Sequence, residues 1–234
     1  MPRGVPVGLA LTVLATSALA HHGRRFLFVT EFHLPHPGQI YAMSDFTGSR
    51  FKGGASSLEL EPGLLVALGD KSRYAIELHS HIEKEDAGAW SYAATGFELR
   101  GRIGSDSTGW NFAGGVEVEA PAHTGPTPVT GEFIAGREDA KGIFMLNLLA
   151  NNEAGLNGKI SWLYRAGYSP NLPGPIGWSL EAQGAVNREA SHEIALGAAM
   201  SFGESKLLKF GLGKGIGPGS ADFIVHLGLV FRLG

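Results

Sequence analysis

In the stretch "YAIELHSHIEKE", two histidines sit two residues apart between two glutamates. Side chains alternate along a β-strand, so Glu77, His79, His81 and Glu83 would all project from one face. Imidazoles and carboxylates together are ligands suited to Zn, Cu or Ni. Same-face neighbours on one strand lie about 6.5–7 Å apart, so two of them share an ion only if their rotamers converge. The "GDKS" turn just before predicts a hairpin with residues 58–68, which places Glu59 and Glu61 beside His79, His81 or Glu83 according to register. The same residues also suit a plainer role. Carboxylates and imidazoles bonded to Arg73, Arg100 or Arg102 would make the wetted wall of a solute path.

A second metal candidate is His21 with His22. Arg3, the apolar run "VGLALTVLATSALA" and the small-x-small triplet Ala18-Leu19-Ala20 read as a signal peptide over residues 1–20. The run falls short of the ~20 residues a spanning helix needs. Cleavage after Ala20 would free the α-amine of His21, which with its own imidazole makes a bidentate copper chelate; His22, His33 and His36 follow closely. The candidate metal ligands are therefore His21, His22, His79 and His81, for Cu or Zn, and no other cofactor is expected.

Catalytic readings have less to stand on. Ser80 lies between two histidines but on the opposite strand face, so it cannot be their hydrogen-bonded nucleophile. Ser191-His192 falls in a turn. Glu117 and Glu119 in "GVEVEAP" share a face, yet paired carboxylates alone define no reaction. "GLGKGIGPG" lacks the Lys-Ser/Thr ending of a phosphate loop. The chain is read as no enzyme, with a lipid-modifying barrel enzyme as the remaining alternative.

The elements that must carry these residues alternate with period two from end to end, and helical periodicity is nearly absent. In "DFIVHLGLVFRLG", Phe223, Val225, Leu227, Leu229, Phe231 and Leu233 form one apolar face, while Ile224, His226, Gly228, Val230 and Arg232 form a mixed one. Similar segments recur between turns such as "EKEDAG", "GSDSTG", "NNEAGLNG", "SPNLPGP" and "GESK". Phe26, Phe28, Thr30, Phe32 and Leu34 alternate with Leu27, Val29, Glu31 and His33, and are read as the first membrane strand. Residues 40–46 and 132–138 alternate less clearly. Pro62 is a misfit in an otherwise good strand, since proline donates nothing to a ladder.

The polar faces are heavy in Gly, Ala and Ser rather than Lys and Glu, and the chain holds 35 glycines in 234 residues. That suits the crowded inside of a barrel whose apolar side meets lipid, with Trp90, Tyr92, Trp110, Trp162, Tyr168 and Trp178 near segment ends as interfacial girdles. The expectation is all-β: a single transmembrane antiparallel up-and-down barrel of about twelve strands over residues 21–234, both termini periplasmic. Glu59, Glu61, Glu77, His79, His81, Glu83, Glu117, Glu119, Arg165, Glu181, Gln183, His226 and Arg232 would face the lumen. The absence of cysteine suits an envelope protein of this size, and a net charge of −3 makes no electrostatic case for nucleic acid.

The export signal, the ten-residue alternating segments, the lack of cysteine and a last strand running to the C-terminus resemble a Gram-negative outer-membrane β-barrel protein of the porin-like kind. The opening "HHGRRFLFVTEFHLPHPGQ" is similar to outer-membrane transporters of the MetA-pathway kind. The ending Phe231-Arg232-Leu233-Gly234 departs from the terminal aromatic common in such barrels. The resemblance implies export to the outer membrane, partnership with its lipid and with the barrel assembly machinery, and passage or binding of a small solute or ion. An envelope protein that binds Cu or Zn is the alternative.

Overall fold

Strands form wherever the alternation runs from residue 40 onward, each ended by glycine, proline or short polar turn residues. A computed structural model describes residues 25–69, 73–105, 108–152, 158–186, 191–203 and 205–233. Residues 1–20, expected to be a signal peptide, and the His21–His22 pair lie outside the described residues. The strands are β1 (Ile40–Phe51), β2 (Ser56–Leu68), β3 (Tyr74–Glu85), β4 (Ser91–Ser105), β5 (Trp110–Pro121), β6 (Val129–Asp139), β7 (Gly142–Asn152), β8 (Ser161–Pro170), β9 (Ile176–Ala185), β10 (His192–Phe202), β11 (Lys206–Ile216) and β12 (Ala221–Arg232). Each pairs antiparallel with its chain neighbours, and β1 pairs with β12 to close a 12-strand barrel. Residues 40–46 and 132–138 are therefore true strand. No helix occurs among the described residues.

The apolar face is outside. On β12, Phe223, Leu227, Leu229 and Phe231 are exposed while Ile224, His226 and Val230 are buried; on β4, Phe97 and Leu99 are exposed while Glu98 and Arg100 are buried. A water-soluble barrel would invert this, whereas a lipid-embedded one requires it. Exposed aromatics cluster towards the two ends. Tyr74, Tyr168 and Trp178 lie near the end where β1 begins and β12 finishes, here the terminal end, and Trp90, Tyr92 and Trp162 lie near the far end.

Pro62 stays in strand but interrupts the ladder. It pairs with Ser44 on β1, while the β2–β3 pairing runs from Leu60↔Ile82 directly to Gly63↔His79. The register on both sides of this gap sets Glu61 opposite His81. On the other flank of β3 the β3–β4 register shifts between His81 and Ile82. The backbone at His81 is thus irregular on both sides, the kind of local break that re-aims side chains.

The expected first membrane strand over residues 26–34 is not formed. Residues 25–39 make no strand; Phe26, Val29, Phe32 and Leu34 are buried within the barrel. Phe26, Val29 and Phe32 pack with Ala113, Ile134, Ile143 and Met145 into a core inside the lumen. Pro35 and Pro37 deny the segment ladder donors, and bare glycines on the inner wall leave room for its side chains. A Cβ on Gly211 would overlap Leu27, and one on Gly167 would come within 2.7 Å of the Phe26 ring.

Candidate functional site

The lumen has two parts. Towards the terminal end it is filled by the N-terminal segment, which the inner wall grips through its backbone. Glu181 is fully buried and accepts the N–H groups of Leu27 (2.8 Å), Phe28 (3.1 Å) and Val29 (3.3 Å), besides the hydroxyl of Ser179 (2.7 Å). Asn147, equally buried, accepts the Thr30 N–H and donates to the Thr30 carbonyl, both at 2.9 Å. Lys209 ion-pairs with Asp45 at 2.7 Å and donates to the Leu27 carbonyl at 3.4 Å. Buried backbone groups need such partners, and here side chains from β7, β9 and β11 replace the strand ladder the segment lacks.

Beside this plug lies a cavity of about 430 Å³ bordered by the plug itself and by polar residues of the barrel wall. One side of it is acidic. His81 sits with Nδ1 3.1 Å from Glu59 Oε1 and Nε2 2.6 Å from Glu61 Oε1. His79 places Nε2 2.9 Å from Glu117 Oε1, and its Nδ1 is 3.9 Å from Glu77. These groups meet because of one bare row across the wall. Gly63, His79, Gly96 and Glu119 are successive register partners on β2, β3, β4 and β5. The His79 imidazole lies over Gly96, where a Cβ would overlap it, and so reaches from β3 to the carboxylates of β5.

Deeper in the wall, Arg100 answers Glu98 with two bonds, Nε at 2.9 Å and Nη2 at 2.5 Å, and lies 3.6 Å from Glu77. Past β1, on β12, His226 contacts Glu193 at 2.6 Å through Nε2 and Thr47 at 3.2 Å through Nδ1, while Gln183 donates to Glu193 at 2.8 Å.

Of the residues expected to line the lumen, Glu59, Glu61, Glu77, His79, His81, Glu117, Glu119, Arg165, Gln183 and His226 border the cavity. Glu181 points inward but is spent on the plug, so it does not face solvent. Glu83 is exposed near the far end of β3, and Arg232 stands opposite Tyr41 at the terminal end; both lie off the cavity wall. Arg102 bonds Asn111 at 2.7 Å rather than the glutamates. Sequence reasoning passed over Asn147, Lys209, Glu193, Glu98 and the Glu98 partnership of Arg100. Their signal was present as isolated polar residues at inward positions of apolar segments, such as Asn147 in "IFMLNLL".

Solved structures with the same architecture include outer-membrane channels. An outer-membrane channel from Pseudomonas putida F1 superposes with a TM-score of 0.66 at 9% identity, over 87% of this chain and 98% of the other. The fold is that of the outer-membrane β-barrel channels. KdgM porin, in complex with disordered oligogalacturonate, matches at a TM-score of 0.56 and 6% identity over 82% and 99% of the two chains. NanC porin matches at 0.55 and 12% over 83% and 100%. No family model and no curated protein matches the sequence.

Proposed function

We propose that the protein is an outer-membrane channel whose acidic half-lumen admits small cationic or polar solutes from the far end, with the N-terminal segment as a resident plug at the terminal end. The observation that carries this reading is the closed, lipid-facing barrel around a polar cavity whose wall presents Glu59, Glu61, Glu117 and Glu119. Carboxylates lining a narrow path raise the local concentration of cations and disfavour anions. The channel fold it shares with proteins of the outer membrane supports that location.

Reconstitution into a planar bilayer tests the reading. The protein is expected to conduct weakly as it stands, more strongly when residues 25–38 are removed, and with cations favoured over anions in both forms. Silence of both forms would overturn it.

A further inference from the structure

We propose that His79, His81 and Glu119 together bind one divalent transition-metal cation of the zinc class inside the lumen. This goes beyond the channel reading and stands whether or not the barrel conducts. One ligand atom from each of the three residues lies within 4.8 Å of the others. A tetrahedral zinc site with ligands at ~2.0–2.1 Å has edges of about 3.3 Å, so the three ligand atoms would have to draw together by at most about 1.5 Å. Two imidazoles and a carboxylate leave a fourth position for water or for a passing solute.

Several independent features converge here. Each imidazole can give one ring nitrogen to the cation and turn the other N–H towards a carboxylate, His79 to Glu117 and His81 to Glu59 or Glu61. Such outer carboxylates fix the tautomer and raise the basicity of the ligand. The Nδ1 of His79 is buried without a hydrogen-bond partner. Among the described residues, Glu59, Glu61 and Glu117 form ion pairs with these imidazoles alone, while the nearby Arg100 is committed to Glu98 and Glu77. Four carboxylates around two imidazoles carry negative charge that a bound cation neutralises. Finally, the Pro62 gap leaves His81 without a ladder partner on β2, the β3–β4 register shifts just after its pairing with Ala94, and Gly63 and Gly96 flank His79 with no side chain in the way.

The test is calorimetric titration of zinc chloride into the full mature barrel, stripped with chelator and held in detergent. A single zinc is expected to bind with micromolar or tighter affinity, weakened about tenfold or more by His79→Ala, His81→Ala or Glu119→Gln. A His21→Ala/His22→Ala variant should bind as the parent does. Cobalt(II) in place of zinc should give visible d–d bands that the same three substitutions abolish. Heat-dependent electrophoretic mobility reports whether each variant is folded, and Glu119→Gln, which preserves shape, decides should a histidine variant fail. No micromolar binding by the parent barrel overturns the proposal. So does affinity unchanged in the folded lumen variants, or affinity lost only with His21 and His22. Conductance of the stripped barrel is read separately, so that loss of the metal site and loss of the channel reading are distinguishable.

Discussion

His81 and Glu61 face each other across the β2–β3 seam with Nε2 2.6 Å from Oε1, at the step where Pro62 interrupts the ladder. The pair is partly exposed to the lumen, so its removal should cost only about 1 kcal/mol or less in stability. Its effect on permeation is larger, because His81 is the group that tempers Glu59 and Glu61. His81→Ala should shift the reversal potential in a potassium chloride gradient towards greater cation preference. Glu61→Gln should shift it the opposite way. Equal reversal potentials in the parent and both variants would show that ions do not pass this wall.

The grip of Glu181 on the plug predicts a gain of conductance when that carboxylate is removed. Glu181→Ala strands the N–H groups of Leu27, Phe28 and Val29 inside the lumen. Each stranded donor costs on the order of 1–3 kcal/mol, and the segment can recover that cost by leaving for water while the barrel stays closed. Single-channel recording should therefore find larger or more frequent openings, and limited proteolysis should cut the chain within residues 25–39. Unchanged conductance together with an uncut segment would mean that the other anchors suffice.

Gly211 makes the same point through space rather than charge. A Cβ there overlaps Leu27, so Gly211→Val should push the segment away from β11 and raise conductance as Glu181→Ala does. Gly219 lies in a turn with nothing within 4 Å of its Cβ position, but its φ of +72° makes it an unsuitable control. Gly131 has equal space and ordinary backbone, and Gly131→Ala should leave the current unaltered.

The barrel was legible because alternation is local: the apolar outer row Phe223, Leu227, Leu229 and Phe231 announces itself within a single strand. The same locality misled at Phe26, Phe28 and Phe32. Their alternation matches a membrane strand, and what draws the segment inward is the set of glycine gaps and anchors on β6 to β11, distant in sequence. Glu77, His79 and His81 border one cavity, as expected where side chains alternate along a strand. That Glu119 joins them depends on the bare row through Gly96, which exists only once β3, β4 and β5 are in register. Lys209 went unnoticed because a lone lysine in "LLKFGLGK" resembles a solvated residue until Asp45 arrives from the other end of the chain.

Lys209 is 1% exposed and its ammonium rests 2.7 Å from Asp45, over a wall cleared by Gly228, whose Cβ would overlap the lysine stem. Breaking a buried ion pair from one side typically costs ~3–5 kcal/mol, and the partial wetting of Asp45 puts this pair at the lower end. Lys209→Met should therefore lower the temperature at which the heat-resistant band is lost on electrophoresis. The double variant Lys209→Met/Asp45→Asn should recover most of that loss, since it leaves no charge unpaired. It should not recover the contact to the Leu27 carbonyl, so its plug should still release more readily than the parent's. If the double variant is no more stable than Lys209→Met alone, the lysine acts through its hold on the plug, and the ion pair with Asp45 is incidental to the barrel's stability.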